Sequence, residues 1–275
     1  MKLRGCITMD IYKDNVFGDG AAVLKIANAT RYGRVAFAVL CDGPEDEEVE
    51  GEAATIAAEY FAKWFLNELP QILEEAESNM VSANMHGMKA RVITEVLCCE
   101  DRTLSYSTRV FHAAKEVIKE RLKQLAMEVN IRIAGRGRLT GRNMKAVAQM
   151  LLVMGGEYIL MRVGSPVAYK SDRETLHEIS GSYHGADLRQ SDYFGKMEMI
   201  KPVFVEGQME KGTGFLLCSS HFARLQDRKY LQKRLRRVST YSERKMDRVL
   251  RSMTRTVRKK GETKDVYAIC VTCTG

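Results

Sequence analysis

Four groups of residues in this chain have the types and spacing to do chemistry. Asp42 and Gly43 close an apolar run, and the nine-residue stretch PEDEEVEGE that follows carries Glu45, Asp46, Glu47, Glu48, Glu50 and Glu52. Hard divalent cations take carboxylate oxygens as ligands, so this cluster could hold one. The same residues read equally as a turn-forming Asp-Gly and a solvated loop entering a helix, whose first turn favours acids. Cys270 and Cys273 form a CxxC, but neither a second CxxC nor a His pair completes a four-ligand zinc site, and VYAICVTC has the look of a terminal strand. Ser219, Ser220 and His221 stand in a row, with no base or acid that spacing would set against either hydroxyl, so nucleophilic catalysis is not indicated. His221 could add a nitrogen ligand to a metal site, whereas His86, His112, His177 and His184 have no spacing that makes a metal pair.

The fourth group is cationic. Residues 224–260 hold 15 Lys/Arg against 3 Asp/Glu, leaving 28 against 32 in the rest of a chain that has 43 and 35 in all, so one segment produces the formal net charge of +8. Clustered charge of one sign raises local potential and association rates. Arg234, Arg236 and Arg237 are its candidate partner contacts, with acidic protein, phosphate or nucleic acid as the partners; the reading without a partner is a solvated helix face. Only Tyr230 and Tyr241 could stack on bases, which places nucleic acid behind an acidic protein.

These groups need elements to position them. The runs 21–27 and 34–43 read as strands about a turn at 28–33, and Asp42 ends the second. GEAATIAAEYFAKWFLNELPQIL carries one apolar stripe, a helix over about 51–69 with Pro70 near its end and Trp64 in the core. A second helix follows over about 106–130 through Val110, Phe111, Ala114, Val117, Ile118, Leu122 and Leu125; residues 74–104 have no clear pattern. The period then changes. Strands are expected at 146–154, 157–163 and 166–170, with Gly155-Gly156 as a tight hairpin and Gly164 and Pro166 as a second turn, then a strand pair at 202–206 and 214–218. Apolar residues at 246, 249, 250, 253 and 257 place an amphipathic helix in the basic segment, stopped by Gly261, and a last strand runs 265–273. Strands, two long helices, strands, two helices, strand: the order indicates an α+β single domain over 1–275, antiparallel sheets flanked by helices, not a doubly wound parallel fold.

Composition agrees with an ordinary globular chain: 275 residues, 45% hydrophobic, 28% charged and 4 Pro. Seven cysteines make no paired framework, no run approaches the roughly 18–20 apolar residues of a membrane span, and Asp10 and Asp14 interrupt any signal-peptide core, so a cytoplasmic location is expected.

Four of these segments, in register, resemble the metal-dependent protein phosphatases of the phosphatase 2C (PPM) type as their bacterial members are built. FAVLCDG followed by GEAATIAAEYFAKWF is similar to the family's strand ending in ADGMGG, its GExAS turn and its long helix. LLVMGGEYILMRVGSPVAY is similar to the hairpin with a GDSR turn, GFLLCSSHF to the strand ending in LLCSDG, and RTVRKKGETKDVYAICV to the closing helix, GxxDN and final strand. The matches span roughly 14–273. The resemblance implies a four-layer α/β/β/α sandwich and, in active members, hydrolysis of phosphoserine and phosphothreonine with two Mn or Mg ions held by carboxylates.

The departures fall on the metal ligands. Asp42 matches the metal-bridging Asp and Gly43 could still offer its carbonyl, but Pro44, Glu45 and Asp46 replace Met-Gly-Gly. Ser165 stands within the GDSR position, as Gly164, Ser165, Pro166 and Val167. Ser219 replaces a metal-binding Asp, and Lys264 stands at another, with Asp265 at the adjacent Asn. Placing Asp19 at the N-terminal motif puts Gly18 at its Glu and Asp14 at its Arg. Two dications repel strongly and need anionic oxygens, so binding should fall with each carboxylate lost. The resemblance therefore implies a degenerate pseudophosphatase that binds or regulates in signalling, with no metal cofactor and a phosphoprotein, kinase or acidic protein as partner. A divergent Mn- or Mg-dependent phosphatase using the acids after Asp42, or Asp265, remains the alternative. A salt bridge from Lys264 to Asp42 would mark replacement of the metals by an internal cation.

Overall fold

A computed structural model describes residues 2–12, 20–44, 51–85, 105–172, 175–180, 192–196 and 198–274. The elements in chain order are β1 Lys2–Asp10, β2 Ala21–Thr30, β3 Gly33–Asp42, α1 Glu52–Asn67, α2 Leu69–Met85, α3 Tyr106–Thr140, β4 Val147–Met154, β5 Glu157–Val163, β6 Val167–Ser171, β7 Leu176–Glu178, β8 Val203–Gln208, β9 Gly214–Cys218, α4 Ser220–Arg224, α5 Arg228–Leu235, α6 Glu243–Lys259 and β10 Val266–Thr274. The strands form two antiparallel five-stranded sheets, ordered β2-β3-β4-β5-β8 and β1-β10-β9-β6-β7.

Alternation along the strands builds the layers. On β3, Ala36, Ala38 and Leu40 face the other sheet and meet Leu217, Ile269 and Val271, while Phe37, Val39 and Cys41 face outward onto Phe61, Trp64 and Phe111. Leu216, Ala268 and Cys270 face the opposite way, onto Leu231, Leu250 and Met253 of α5 and α6. With both faces covered, the central strands read as unbroken apolar runs. The result is the α+β arrangement of antiparallel sheets and flanking helices that the order of elements led us to expect, in the four-layer α/β/β/α sandwich that the resemblance implied.

Several elements differ from their sequence reading. Pro70 does not end helical structure: α1 stops at Asn67, and Pro70 enters the first turn of α2, where its missing N–H has no intrahelical partner to lose. α2 thereby occupies part of the stretch 74–104. α3 runs ten residues beyond the expected end: Val129, Ile133 and Ala134 continue the buried stripe beyond Leu125, the helix runs on through Gly135 and Gly137, and Gly141, left-handed at φ 66°, terminates it. β1 was missed, although it pairs with β10 over its whole length. The two strands expected as a pair at 202–206 and 214–218 are not partners: β8 pairs with β5 in one sheet, and β9 with β6 and β10 in the other. The turn at Gly164 likewise carries the chain from sheet to sheet. No helix among the described residues is long and apolar enough to cross a membrane.

Candidate functional site

The site lies where β3 ends. Asp42 continues the inward parity of Ala38 and Leu40, so its carboxylate enters the space between the sheets; it is 3% exposed, and its Oδ1 accepts from the Gly43 amide at 2.9 Å. β2 begins alongside, with Ala21 opposite Cys41. Gly20, just before it, is squeezed: a Cβ there would come within 2.5 Å of the Tyr267 ring and 2.8 Å of the Cys41 carbonyl oxygen. Only glycine permits that approach.

Tyr267 organises the cleft. Its hydroxyl accepts from the Gly20 amide at 2.9 Å and donates to Asp265 Oδ2 at 3.1 Å. Burial first, then the negative charges of Asp42 and Asp265, hold the phenol well above its ordinary pKa, with the Gly20 N–H pulling the other way, so the phenol stays a donor. Asp265 is 2% exposed, and its Oδ1 accepts from the Tyr12 amide at 2.7 Å. Both oxygens of that carboxylate are engaged by the fold.

Ser219 serves as a structural cap. Its Oγ accepts from the Phe222 amide, closing the start of α4, and from the Tyr267 amide at 3.3 Å; its own amide donates to the Tyr267 carbonyl at 3.0 Å. The Ser219 hydroxyl thus joins α4 to β10. Gln149, fully buried on β4, ties the sheets at the same end by donating to the carbonyls of Cys218 and Val167 at 3.0 and 3.2 Å. Arg162, also buried, opposes it on β5. Ser165 lies in the crossing between β5 and β6, its buried Oγ without a hydrogen-bond partner among the described residues.

Lys264 does not take the place foreseen for it. It is half-buried, forms no ion pair with Asp42 or any other described residue, and is held by its backbone: its amide donates to Glu262 Oε1, and its carbonyl accepts from Arg258. The carboxylate of Asp265, on the same side of the chain as Tyr267 two residues on, occupies the buried position instead. His221 faces Glu262 across 3.7 Å, and Glu262 also binds Arg224 at 2.9 Å. Glu52 bonds Arg136 at 2.9 Å and has Arg142 at 3.7 Å. Asp14, Gly18, Asp19 and the acids from Glu45 to Glu50 lie outside the described residues. Arg236 and Arg237 are exposed on the far helical layer, and Arg234 sits over the Tyr230 ring at 5.1 Å.

Two hard dications require several free anionic oxygens. The described residues do not by themselves meet that demand: they form no group of three possible metal-holding side chains, each oxygen of Asp265 already accepts a hydrogen bond, and Ser219 is a cap. Tyr267, Tyr12, Gly20 and Gln149 were not picked out from the sequence. The alternation in DVYAI places Tyr267 on the Asp265 side and was the one available signal.

No protein-family model matches the chain, and no curated protein matches it in sequence. Solved structures do resemble it. PppA, "a key regulatory component of T6SS in Pseudomonas aeruginosa", superposes with a TM-score of 0.61 at 16% identity, covering 99% of this chain and 98% of PppA. The serine/threonine phosphatase Stp1 from Staphylococcus aureus gives 0.67 at 12%, covering 100% and 96%. RsbX in complex with magnesium gives 0.57 at 9%, covering 98% and 94%. At these identities the likeness is one of fold, and the fold is that of the bacterial phosphatase 2C-like, PPM-type proteins.

Proposed function

We propose that this protein is a phosphatase 2C-like pseudophosphatase, a binding or regulatory module in which residues 1–275 act as one domain and the ancestral metal cleft has become a structural joint. One observation carries the reading. Tyr267, Asp265 and Ser219 satisfy one another and the backbone of Gly20, Tyr12 and Phe222, so the groups at the cleft are committed to joining β10, β2 and α4. The Tyr12 amide and the Tyr267 hydroxyl hold the Asp265 carboxylate from two sides, so a cation would have to share it with bonds that the fold already uses. PppA is described as a regulatory component, and a cytoplasmic module acting on a phosphoprotein, kinase or acidic protein is consistent with that precedent.

A second reading has one observation in its favour: Asp265, like Asp42, is a buried carboxylate close enough to Tyr267 to raise its pKa. With acids from the segment after Asp42, the two could form a divergent Mn- or Mg-dependent site hydrolysing phosphoserine or phosphothreonine. Thermal unfolding with and without saturating Mn or Mg separates the readings. A ligand at a hundred times its Kd adds about 2.7 kcal/mol, or roughly 5 °C or more for a chain of this size. The expected result is a melting temperature unchanged by either metal. Saturable stabilisation of that size, lost in Asp42→Asn, would establish the second reading.

A further inference from the structure

The two helical layers pair their cations to different extents. On the α1–α3 layer, Lys115 bridges Glu157 and Glu206, Lys119 reaches Glu206, and Arg121 binds Glu68 and Glu128. On the other layer, Lys233, Arg236, Arg237, Arg244, Arg255 and Lys259 are exposed and make no ion pair with any described residue. Of the three acids in residues 224–260, Asp247 holds Arg251 and Asp227 caps α5.

This imbalance works against the helices that carry it. Arg244 and Arg248, Arg251 and Arg255, and Arg255 and Lys259 are each one turn apart, where like charges destabilise. Arg244 and Lys245 sit in the first turn of α6, where the helix dipole disfavours cations. Glu243 in the same first turn, the Asp247–Arg251 pair and Lys245 over the Tyr241 ring offset part of this, but Arg236, Arg237, Arg244, Arg255 and Lys259 have no ion pair with any described residue, and a local rule broken beyond its local compensation marks a functional surface. Met246, Leu250, Met253 and Val257 pin α6 to the sheet, so the cations face outward on a rigid plane about 25 Å long.

We propose that this outer face of α5 and α6 docks an acidic polypeptide segment, whether or not the cleft on the far side of the sheet binds metal. Charge complementarity sets the sign of the partner, and the arginine-rich face suits carboxylates, which guanidinium groups grip with two parallel hydrogen bonds. Nucleic acid fits less well. Tyr230 and Tyr241 are half-buried and already covered by Arg234 and Lys245, at 5.1 and 4.0 Å, leaving no ring for a base to stack on. Neither helix projects from the body as a groove reader does.

The test uses the full-length protein and fluorescence anisotropy with a labelled Glu/Ser peptide of about 12 residues, long enough to span the face when extended. Duplex and single-stranded DNA of comparable length serve as competing probes. Two variants carry the same change in net charge: Arg236→Glu, Arg237→Glu, Arg244→Glu and Arg255→Glu on this face, and Lys63→Glu, Arg109→Glu, Lys123→Glu and Arg132→Glu on the opposite layer, all exposed positions. Circular dichroism confirms folding, and Gln replaces Glu where a variant does not fold. The expected result is saturable peptide binding that weakens with salt, is about tenfold or more weaker in the first variant and changes less than threefold in the second. The proposal is overturned if the peptide does not bind, if both variants weaken it alike, or if either DNA binds as tightly as the peptide.

Discussion

At the scale of one residue, Tyr267 ties the cleft together: its hydroxyl donates to the Asp265 carboxylate and accepts from the Gly20 amide. Removing its hydroxyl leaves Asp265 Oδ2 without the phenol donor and the Gly20 amide without its acceptor. Tyr267→Phe should therefore cost about 1–3 kcal/mol, measured by urea unfolding, although the ring still fills its place. A variant as stable as wild type would mean that these bonds do not hold the cleft. Glu262 makes a prediction about pH. Its burial opposes ionisation, but the Lys264 amide, Arg224 and His221 outweigh it and lower its pKa. A carboxyl whose folded pKa is depressed stabilises above its unfolded pKa and loses that stabilisation as pH falls through the folded value. Glu262→Gln should thus be less stable than wild type at neutral pH, by about 1–3 kcal/mol, and the gap should close in acid. A gap that widened below the carboxylate range would contradict the assignment.

At the scale of elements, α3 shows what sequence could and could not reveal. Its stripe from Val110 to Leu125 was plain, but its last ten residues were not, because only Ile133 and Ala134 among them are buried. Two glycines in the same helix should respond oppositely to alanine. A Cβ added at Gly135 would meet no atom within 4 Å, and the residue lies mid-helix, so Gly135→Ala should stabilise by about 0.5–1 kcal/mol. Gly141 is equally uncrowded but left-handed, so Gly141→Ala should destabilise by about 1–2 kcal/mol. Thermal or urea melts of both read the signs directly. The strands were legible wherever an apolar run ended in a turn, as at Gly155-Gly156. Their partners were not: β8 and β9 look like neighbours along the chain and belong to different sheets. β1 escaped because Arg4, Gly5 and Thr8 interrupt its apolar pattern, and its strand character comes from pairing with β10. At the cleft, Asp42 at the end of its strand could be read directly, whereas the lock formed by Tyr267 depends on β10, Gly20 and Tyr12 meeting across more than 240 residues of chain.

The whole molecule has a phosphatase 2C-like sandwich fold with two regions of interest, the Asp42–Asp265–Tyr267 cleft at one end of the sheets and a cationic plane on one helical layer. The sandwich needs no metal to close, since three continuous apolar layers hold it together. The claim that joins these features is that catalysis has been lost while the fold remains. The measurement that tests it most directly is hydrolysis of p-nitrophenyl phosphate and of a phosphoserine peptide by purified protein in excess Mn or Mg, with Asp42→Asn alongside. Turnover no greater than buffer in both proteins is the expected result. Metal-dependent turnover in the wild type that disappears in Asp42→Asn would show that the cleft is still an active site, with ligands drawn from beyond the residues described.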